Sequence, residues 1–547
     1  MGAGLLLNIG RTALNAAEFG LQVCGNNIAN VNTPGYCRQR VSQTSGIVVS
    51  VNGIPSGTGV EVQGVQRIYD AFLGLQALKA TSDLEDYSLR EQNYARLESI
   101  LYPSEDSNLG TVMDDFFNAW QDLASNPAGA AERQTILSRG TEVAASLQGL
   151  SRSLEEEIQY SNKQLESYRD AVNDLTGEIA ALNQEILRVQ GASAQPNDLL
   201  DRRDELLSEL AGYLDITTFE GARGELHVLA SGGQALVGGS TAYEVHLVPD
   251  ADNHNFYGIY IRGGDITGSM GGGKMQAVLE SREQTARFQD QLDTLATAFA
   301  RECNRVHMAG YDLEGGTGQP LFSVPDVGVQ SLSTNAGGAE VSQAEILDGA
   351  GFSLDRYEIR FTAPGTYDIV DVTRSTVVAS NQAYVDGGAI EFGGLRVVLS
   401  SVNGAPAAGD RFSVSATEGM AQKIGMLVDD ASHLAAAQEA DTLPGDNRNA
   451  LALAALRDAK VLNGDTVSPG GFYESLVGDI GSIVQDASRM TQAKEALHTS
   501  IQTYRDSVSG VSIEEEEIHL LAYQHAYQAA AKYLTAVDEM LQTLLEL

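Results

Sequence analysis

The sequence predicts an α+β multidomain protein with paired N- and C-terminal coiled-coil helices, an elongated helical bundle containing a long rod helix, and inserted all-β domains. Three observations carry this prediction. Apolar residues recur every three or four positions at both ends of the chain, the same period runs from Ala131 to Gln190, and two Gly-rich stretches of alternating apolar residues interrupt the helical pattern.

At the N-terminus the repeat runs Leu7, Gly10, Leu14, Ala17, Leu21, Cys24, Ile28. At the C-terminus it runs Leu520, Tyr523, Tyr527, Ala530, Leu534, Val537, Leu541, Leu544. A lone helix with one apolar seam is marginal in water, so each seam needs a partner, and the other end of the chain or a neighbouring subunit supplies it. Ser512 stands three residues before Glu515 as a capping box, so the acidic run Glu514 to Glu517 reads as the start of the last helix rather than a metal site. Small residues at Gly10, Ala13, Ala16, Ala17 and Gly20, and at Ala529, Ala530 and Ala531, suit close helix packing or stacking of identical copies.

Between the ends, the best-patterned part of the central helix, from Leu147 to Val189, forms a rod on the order of 60 Å. Shorter helices are expected around Ile68 to Leu101, Thr111 to Ser125, Asp198 to Ala211, Gln276 to Val306 and Ile480 to Val508. Strand patterns begin at Leu214 and again from Phe352 to Val414. The expected domains are a terminal coiled coil (1–38 and 512–547), an elongated helical domain (39–211, 274–322 and 421–511), a small β region (212–273) and an inserted β-sandwich or barrel-like domain (323–420).

Length and charge narrow the function. The chain's 547 residues exceed one hydrophobic core. Its 73 acidic against 35 basic residues give a net charge of −38, which is repelled by phosphate backbones and anionic lipid. Neither nucleic-acid binding nor membrane insertion is expected. Apolar runs fall short of the roughly 20 residues that span a bilayer, and the Leu5-Leu6-Leu7 start lacks the flanks of a cleaved signal peptide. The three cysteines, Cys24, Cys37 and Cys303, form neither a disulfide framework nor a CxxC metal site.

Two partial motifs resolve to structural readings. Gly268 to Lys274 imitates a phosphate loop, but Met275 stands where a Ser or Thr would hold magnesium, so a turn into a helix is expected. Asp250, Asp252 and His254 begin like a calcium loop, but Asn255 and Ile261 occupy the places of its Gly and Glu, which leaves a hairpin tip. No catalytic residue, metal ligand or cofactor site is expected.

The string after the first seam is Gly25-Asn26-Asn27-Ile28-Ala29-Asn30-Val31-Asn32-Thr33-Pro34-Gly35-Tyr36. Pro34 disfavours helix at Thr33, and the asparagines can satisfy a fraying helix end. The string closely resembles the N-terminal signature of the bacterial flagellar axial family of rod, hook and hook-associated proteins, with Cys37 where that family would place Ser or Thr. The segments Ser509 to Glu516, Tyr523 to Ala529 and Leu544 to Leu547 are similar to its hook-associated members. So are Asn304 to Asp312, Gly409-Asp410-Arg411-Phe412 and Gly445-Asp446-Asn447-Arg448-Asn449-Ala450.

This resemblance implies a structural, non-enzymatic protein of the extracellular flagellum, exported by the flagellar type III system without a cleaved signal. It implies ring assembly with copies of itself at the hook tip, contact with the hook protein and the next hook–filament junction protein, and an export chaperone on the C-terminal segment. A hook or distal rod protein is the alternative, followed by an enzyme or adhesin carried on an axial scaffold. Free monomers are expected to have disordered ends, because neither seam has its final partners before assembly.

Overall fold

The computed structural model describes residues 2–51, 54–105, 107–190, 196–221, 224–349 and 351–545. Its helices are α1 (Gly2–Ala29), α2 (Ala71–Leu101), α3 (Leu109–Ser125), α4 (Ala130–Gln190), α5 (Asn197–Tyr213), α6 (Gly273–Met308), α7 (Met420–Lys423), α8 (Arg448–Ala454), α9 (Pro469–Ser509) and α10 (Ile513–Leu545). Local chemistry sets several starts. Asp70 accepts from Phe72 N and Leu73 N ahead of α2, Asn108 accepts from Thr111 N ahead of α3, and Ser468 caps α9 with Pro469 just inside it.

α1 is followed by β structure where the sequence suggested the helical domain. Strand Gln39–Ser45 pairs antiparallel with Val60–Arg67, and the tip strands Val49–Val51 and Ile54–Ser56 pair beyond it. The alternation Val49-Ser50-Val51 and Val60-Glu61-Val62 is the signal, diluted by polar residues because one face of the ribbon is open to water. The ribbon runs back along α1: Asn8 Nδ2 donates to Thr58 O (3.4 Å), and Val60 N donates to Thr12 Oγ1 (3.4 Å).

The helical domain is built on α4, whose 61 residues span about 90 Å, longer than its best-patterned stretch suggested. Two hydrophobic cores lie along it. One gathers Phe116, Trp120, Leu147, Leu154, Phe288, Phe299 and Phe322; the other gathers Leu165, Val172, Ile179, Leu210, Val228, Ile259 and Met275. Between them is a polar waist, with buried Asn93 from α2, Glu157 and Ser161 from α4, and Ser281, Arg282 and Thr285 from α6. Arg96 reaches Glu157 (3.0 Å), and Arg282 reaches Asn162 (3.0 Å) and Tyr257 O (3.2 Å).

The small β region packs on the distal half of α4. Its strands Ile216–Glu220, Leu226–Ala230, Ala235–Gly238 and Thr241–Ala242 form one antiparallel sheet, and Val245–Asp250, Phe256–Ile261 and Gly264–Asp265 another. Asn183 Nδ2 donates to Leu226 O (2.9 Å) and Gly239 O (2.7 Å), so α4 supplies hydrogen bonds that the sheet edges need. The inserted domain is a sandwich. A sheet ordered Gly328–Ser331, Arg411–Ser415, Tyr357–Ala363, Thr366–Asp371, Thr376–Ala383 faces one ordered Glu340–Ile346, Leu395–Ser400, Ala389–Phe392, around Ile359, Phe361, Leu395, Val397 and Phe412.

Both partial motifs have structural tasks. At the calcium-like tip, Asp252 accepts from Ser333 N (2.6 Å) and Oγ (2.7 Å), strapping the small β region to the sandwich. In the phosphate-loop imitation, Gly273 has φ 80°, and a Cβ there would lie 2.5 Å from Leu214 N, so glycine serves a close backbone approach. Lys274 faces Glu85 at 3.3 Å.

The Asn304 to Asp312 string closes the larger core. Asn304 bonds Phe322 O (2.9 Å) and Phe322 N (2.8 Å), while His307 donates from Nδ1 to Gln319 O (2.6 Å) and accepts Ala435 N at Nε2 (2.9 Å). Burial pushes the His307 imidazole down to about 4. In the unfolded chain the group titrates near 6.5, so its neutral-form stability is complete above that pH. It is lost as pH falls toward 4, because only the unfolded chain takes up the proton. Urea titrations followed by Trp120 fluorescence should show stability falling between pH 7 and pH 4.5, by on the order of 2–3 kcal/mol from this group. In His307→Gln that component should vanish; an unchanged pH slope in the variant would reject the assignment.

Candidate assembly site at the joined chain ends

α1 and α10 pack antiparallel. A Cβ at Gly10 would lie 2.5 Å from Leu534 Cδ2, a Cβ at Gly20 would lie 2.5 Å from the Tyr523 ring, and Asn27 meets Glu516. Glycines at these positions let bulky residues of α10 settle onto the α1 backbone.

The contact stripe of α1 is therefore Gly10, Ala17, Gly20, Cys24 and Asn27, all buried. It shares Gly10, Ala17 and Cys24 with the seam read from the sequence and adds Gly20 and Asn27. Of that seam, Gly10, Ala17 and Cys24 are buried, Leu14, Leu21 and Ile28 are half-buried, and Leu7 is 38% exposed. On α10 the read seam does face α1. Ala530 and Val537 are buried, Leu520, Tyr523, Leu534 and Leu541 are half-buried, and Tyr527 is 38% exposed. The Leu544 side chain falls outside the described residues.

The end of the pair is closed by a polar node. Asn27 Nδ2 donates to Glu516 Oε2 (3.0 Å) and Gln39 O (2.9 Å), and its Oδ1 accepts from Gln39 N (2.9 Å) and Tyr36 Oη (2.9 Å). Glu516 Oε1 accepts from Arg38 Nε (2.7 Å), and Arg38 Nη1 reaches Glu515 (2.6 Å). Arg38 N also donates to Ser509 O (2.8 Å), joining the segment after α1 to the end of α9. The serine cap is present, with Glu515 N donating to Ser512 Oγ (3.4 Å), but the Glu515 carboxylate turns to Arg38.

The other signature residues shape the turn that leads into this node. Asn26 Nδ2 donates to Tyr36 Oη (3.3 Å), Asn30 Nδ2 to Asn26 O (3.0 Å), and Thr33 Oγ1 to Asn30 Oδ1 (3.1 Å). Gly35 takes φ 75°, and Pro34 is exposed at the tip. Burial, reinforced by Asp198, Asp201 and Glu516, pushes the Tyr36 phenol up and keeps it a donor. Burial and Glu516 push the Cys24 thiol up to about 12; burial and Asp201 do the same to Cys37. Both stay protonated and unreactive at neutral pH. Cys37 contributes its backbone, donating to Asp201 Oδ2 (3.1 Å), while Arg67 binds Asp201 (3.1 Å) and Asp204 (2.6 Å) and so ties the ribbon to α5.

Glu516 and Arg38 are the site residues that periodicity missed. A signal existed: Glu516 precedes Leu520 and Tyr523 at steps of four and three, and a carboxylate on a seam demands a cation. Chemically the site is a clamp, whose charges are spent on one another. Among the described residues no group of three His, Cys, Asp or Glu side chains could hold a metal, and no helix is long and apolar enough to cross a membrane.

Family models cover both helices of the clamp and the domain between them. Residues 7–36 match the Flagella basal body rod protein model, residues 504–547 the Flagellar basal body rod FlgEFG protein C-terminal model, and residues 94–322 the Flagellar hook-associated protein FlgK helical domain. A solved structure, that of the flagellar hook junction protein FlgK from Burkholderia pseudomallei, superposes with a TM-score of 0.69 at 22% identity, over 80% of this chain and 100% of that one. Flagellar hook-associated protein 1 of Bacillus subtilis (strain 168) is 27% identical, over 98% of this chain and 97% of its own. The Escherichia coli (strain K12) protein of that name is 30% identical over 99% of both chains. The chain belongs to the flagellar hook-associated protein 1 family.

Proposed function

We propose that this protein is the structural adaptor between hook and filament of a bacterial flagellum, working as one member of a ring of identical copies at the hook tip. The observation that carries this reading is the clamp at the chain ends. It fixes α1 against α10 yet leaves Ile518, Leu521, Tyr533 and Met540 of α10 exposed, a face that a wall of neighbouring copies would cover. Relatives bearing the hook-associated protein 1 name align along almost the entire chain, which favours the junction role over a hook or distal rod role.

Export in an unfolded state by the flagellar type III apparatus and chaperone capture of the C-terminal segment suit this reading. An amphipathic α10 exposed before assembly is a helix-in-groove ligand. The hook protein on one side and the next junction protein on the other complete the expected contacts.

A strain carrying the protein without residues 513–547 should make hooks without filaments by electron microscopy. The secreted variant should keep its sandwich, read as a protease-resistant middle. Normal motile filaments would reject the assembly role, and missing hooks would favour the hook or rod alternative.

Glu516→Ala leaves the buried Asn27 amide without its carboxylate and the half-buried Arg38 with Glu515 alone, at a cost to the helix pair of about 1–3 kcal/mol. The soluble variant should lose both ends to protease well before wild type does. Ends as resistant as wild type would show that the node is not what holds them. In wild type the ends should still be cleaved before the middle, as expected of helices whose outer faces await neighbours; uniform resistance would contradict that.

A further inference from the structure

Copies of a chain with net charge −38 repel one another, so a contact between them needs locally complementary charge. Several described cations stand outside the ion pairs, Arg40, Arg152 and Lys532 on the open surface and Arg505 at a cleft. Arg505, in the last turns of α9, has neither an ion pair nor a hydrogen bond among the described residues, and it lines a cleft of about 300 Å3. The acids in that cleft are otherwise engaged, Asp204 with Arg67 (2.6 Å) and Glu220 with Arg203 (3.8 Å). The rest of its mouth is apolar and open to solvent, with Tyr69, Leu75 and Phe219 exposed.

The matching surface lies across the α9–α10 joint. Glu514, Glu517, Ile518 and Leu521 fall at i, i+3, i+4 and i+7, one face of α10, pointing away from the Glu516, Leu520 and Tyr523 stripe that meets α1. Ile518 is 66% and Leu521 55% exposed, and Glu517 has no partner among the described residues. This face carries a carboxylate with no partner among the described residues, to meet Arg505, beside branched apolar side chains that suit the cleft's apolar lining.

We infer that the Glu517, Ile518 and Leu521 face of one copy docks into the Arg505 cleft of the next, with Glu517 paired to Arg505. The inference rests on the proposed ring and names the contact that would build it. Because the two patches differ, the contact is heterologous: each copy offers its cleft to one neighbour and its α10 face to the other, so copies add in one direction until the ring closes. Within a single copy the two patches lie on opposite sides of the joint. Arg505 precedes Ser509 by one turn on α9, and Glu517 follows the Ser512 cap by little more than one turn on α10.

Charge exchange tests the pair. Arg505→Glu, Glu517→Arg and the double variant, each as the full chain, would be expressed in a strain lacking the native protein, and filamented cells would be counted. Purified variants should melt close to the wild-type Tm, since neither side chain has an ion pair or hydrogen bond among the described residues. Each single variant should reach the medium at wild-type level while filament number falls by about tenfold, and the double variant should recover most of it, because the pair is restored with its signs reversed. Singles that assemble like wild type, or a double no better than the singles, would overturn the pairing. If the strain lacking the protein grows filaments unaided, the junction reading itself fails, whatever the variants do.

Discussion

A buried carboxylate holds the two ends of this chain together. Glu516 is 2% exposed and would be costly there alone, but Asn27 reaches it from the last turn of α1 and Arg38 from the segment that follows. That one requirement explains much of the neighbourhood. Asn27 must be an amide because it also bridges both backbone groups of Gln39, and the turn through Pro34 and Gly35 brings Tyr36 and Arg38 back under the helix. Without the node, the contact of α1 with α10 would rest on bulky α10 residues such as Tyr523 and Leu534 settled against Gly20 and Gly10.

Three of the segments that resembled a known family share a physical task. Around Asn304, Asp410 and Asn447, polar side chains hold backbone groups where regular elements end. Asn304 binds both backbone groups of Phe322, and Asp410 accepts from Ala336 N, Gly337 N and Ala407 N where the sandwich begins and ends. Asn447 reaches Ala124 O, and Asn449 reaches Ala435 O. Such residues cannot be exchanged for apolar ones of similar size without orphaning buried backbone groups, so loops held this way keep legible sequence.

Legibility followed what periodicity can register. The helices, both β insertions and the C-terminal seam were readable because each buries one face of a long element. The ribbon of residues 39–67 was not, because its strands are short and half-exposed. Of the face of α1 that meets α10, Gly10, Ala17 and Cys24 were legible on the seam, while Leu7, Leu14 and Leu21 are less buried than periodicity implied, because close approach to α10 favours the small residues. Glu516 was read as part of a cap because its cation lies far away in sequence. The waist around Asn93, Ser161 and Ser281 was hidden for the same reason, since three helices each contribute an ordinary polar residue to one layer.

The bond between Asn27 and Glu516 joins positions 489 residues apart. Whatever delivers the chain in sequence, synthesis or threading through a narrow channel, delivers α1 long before the residue that locks it. The rod, the small β region and the sandwich close through nearer contacts and can settle first, because shorter loops close sooner. The clamp can close only once nearly all of the sequence has arrived, which makes it a check on completeness. A copy truncated before residue 516 would carry a finished body with an unmatched first helix, and could not present the joined ends of an intact subunit.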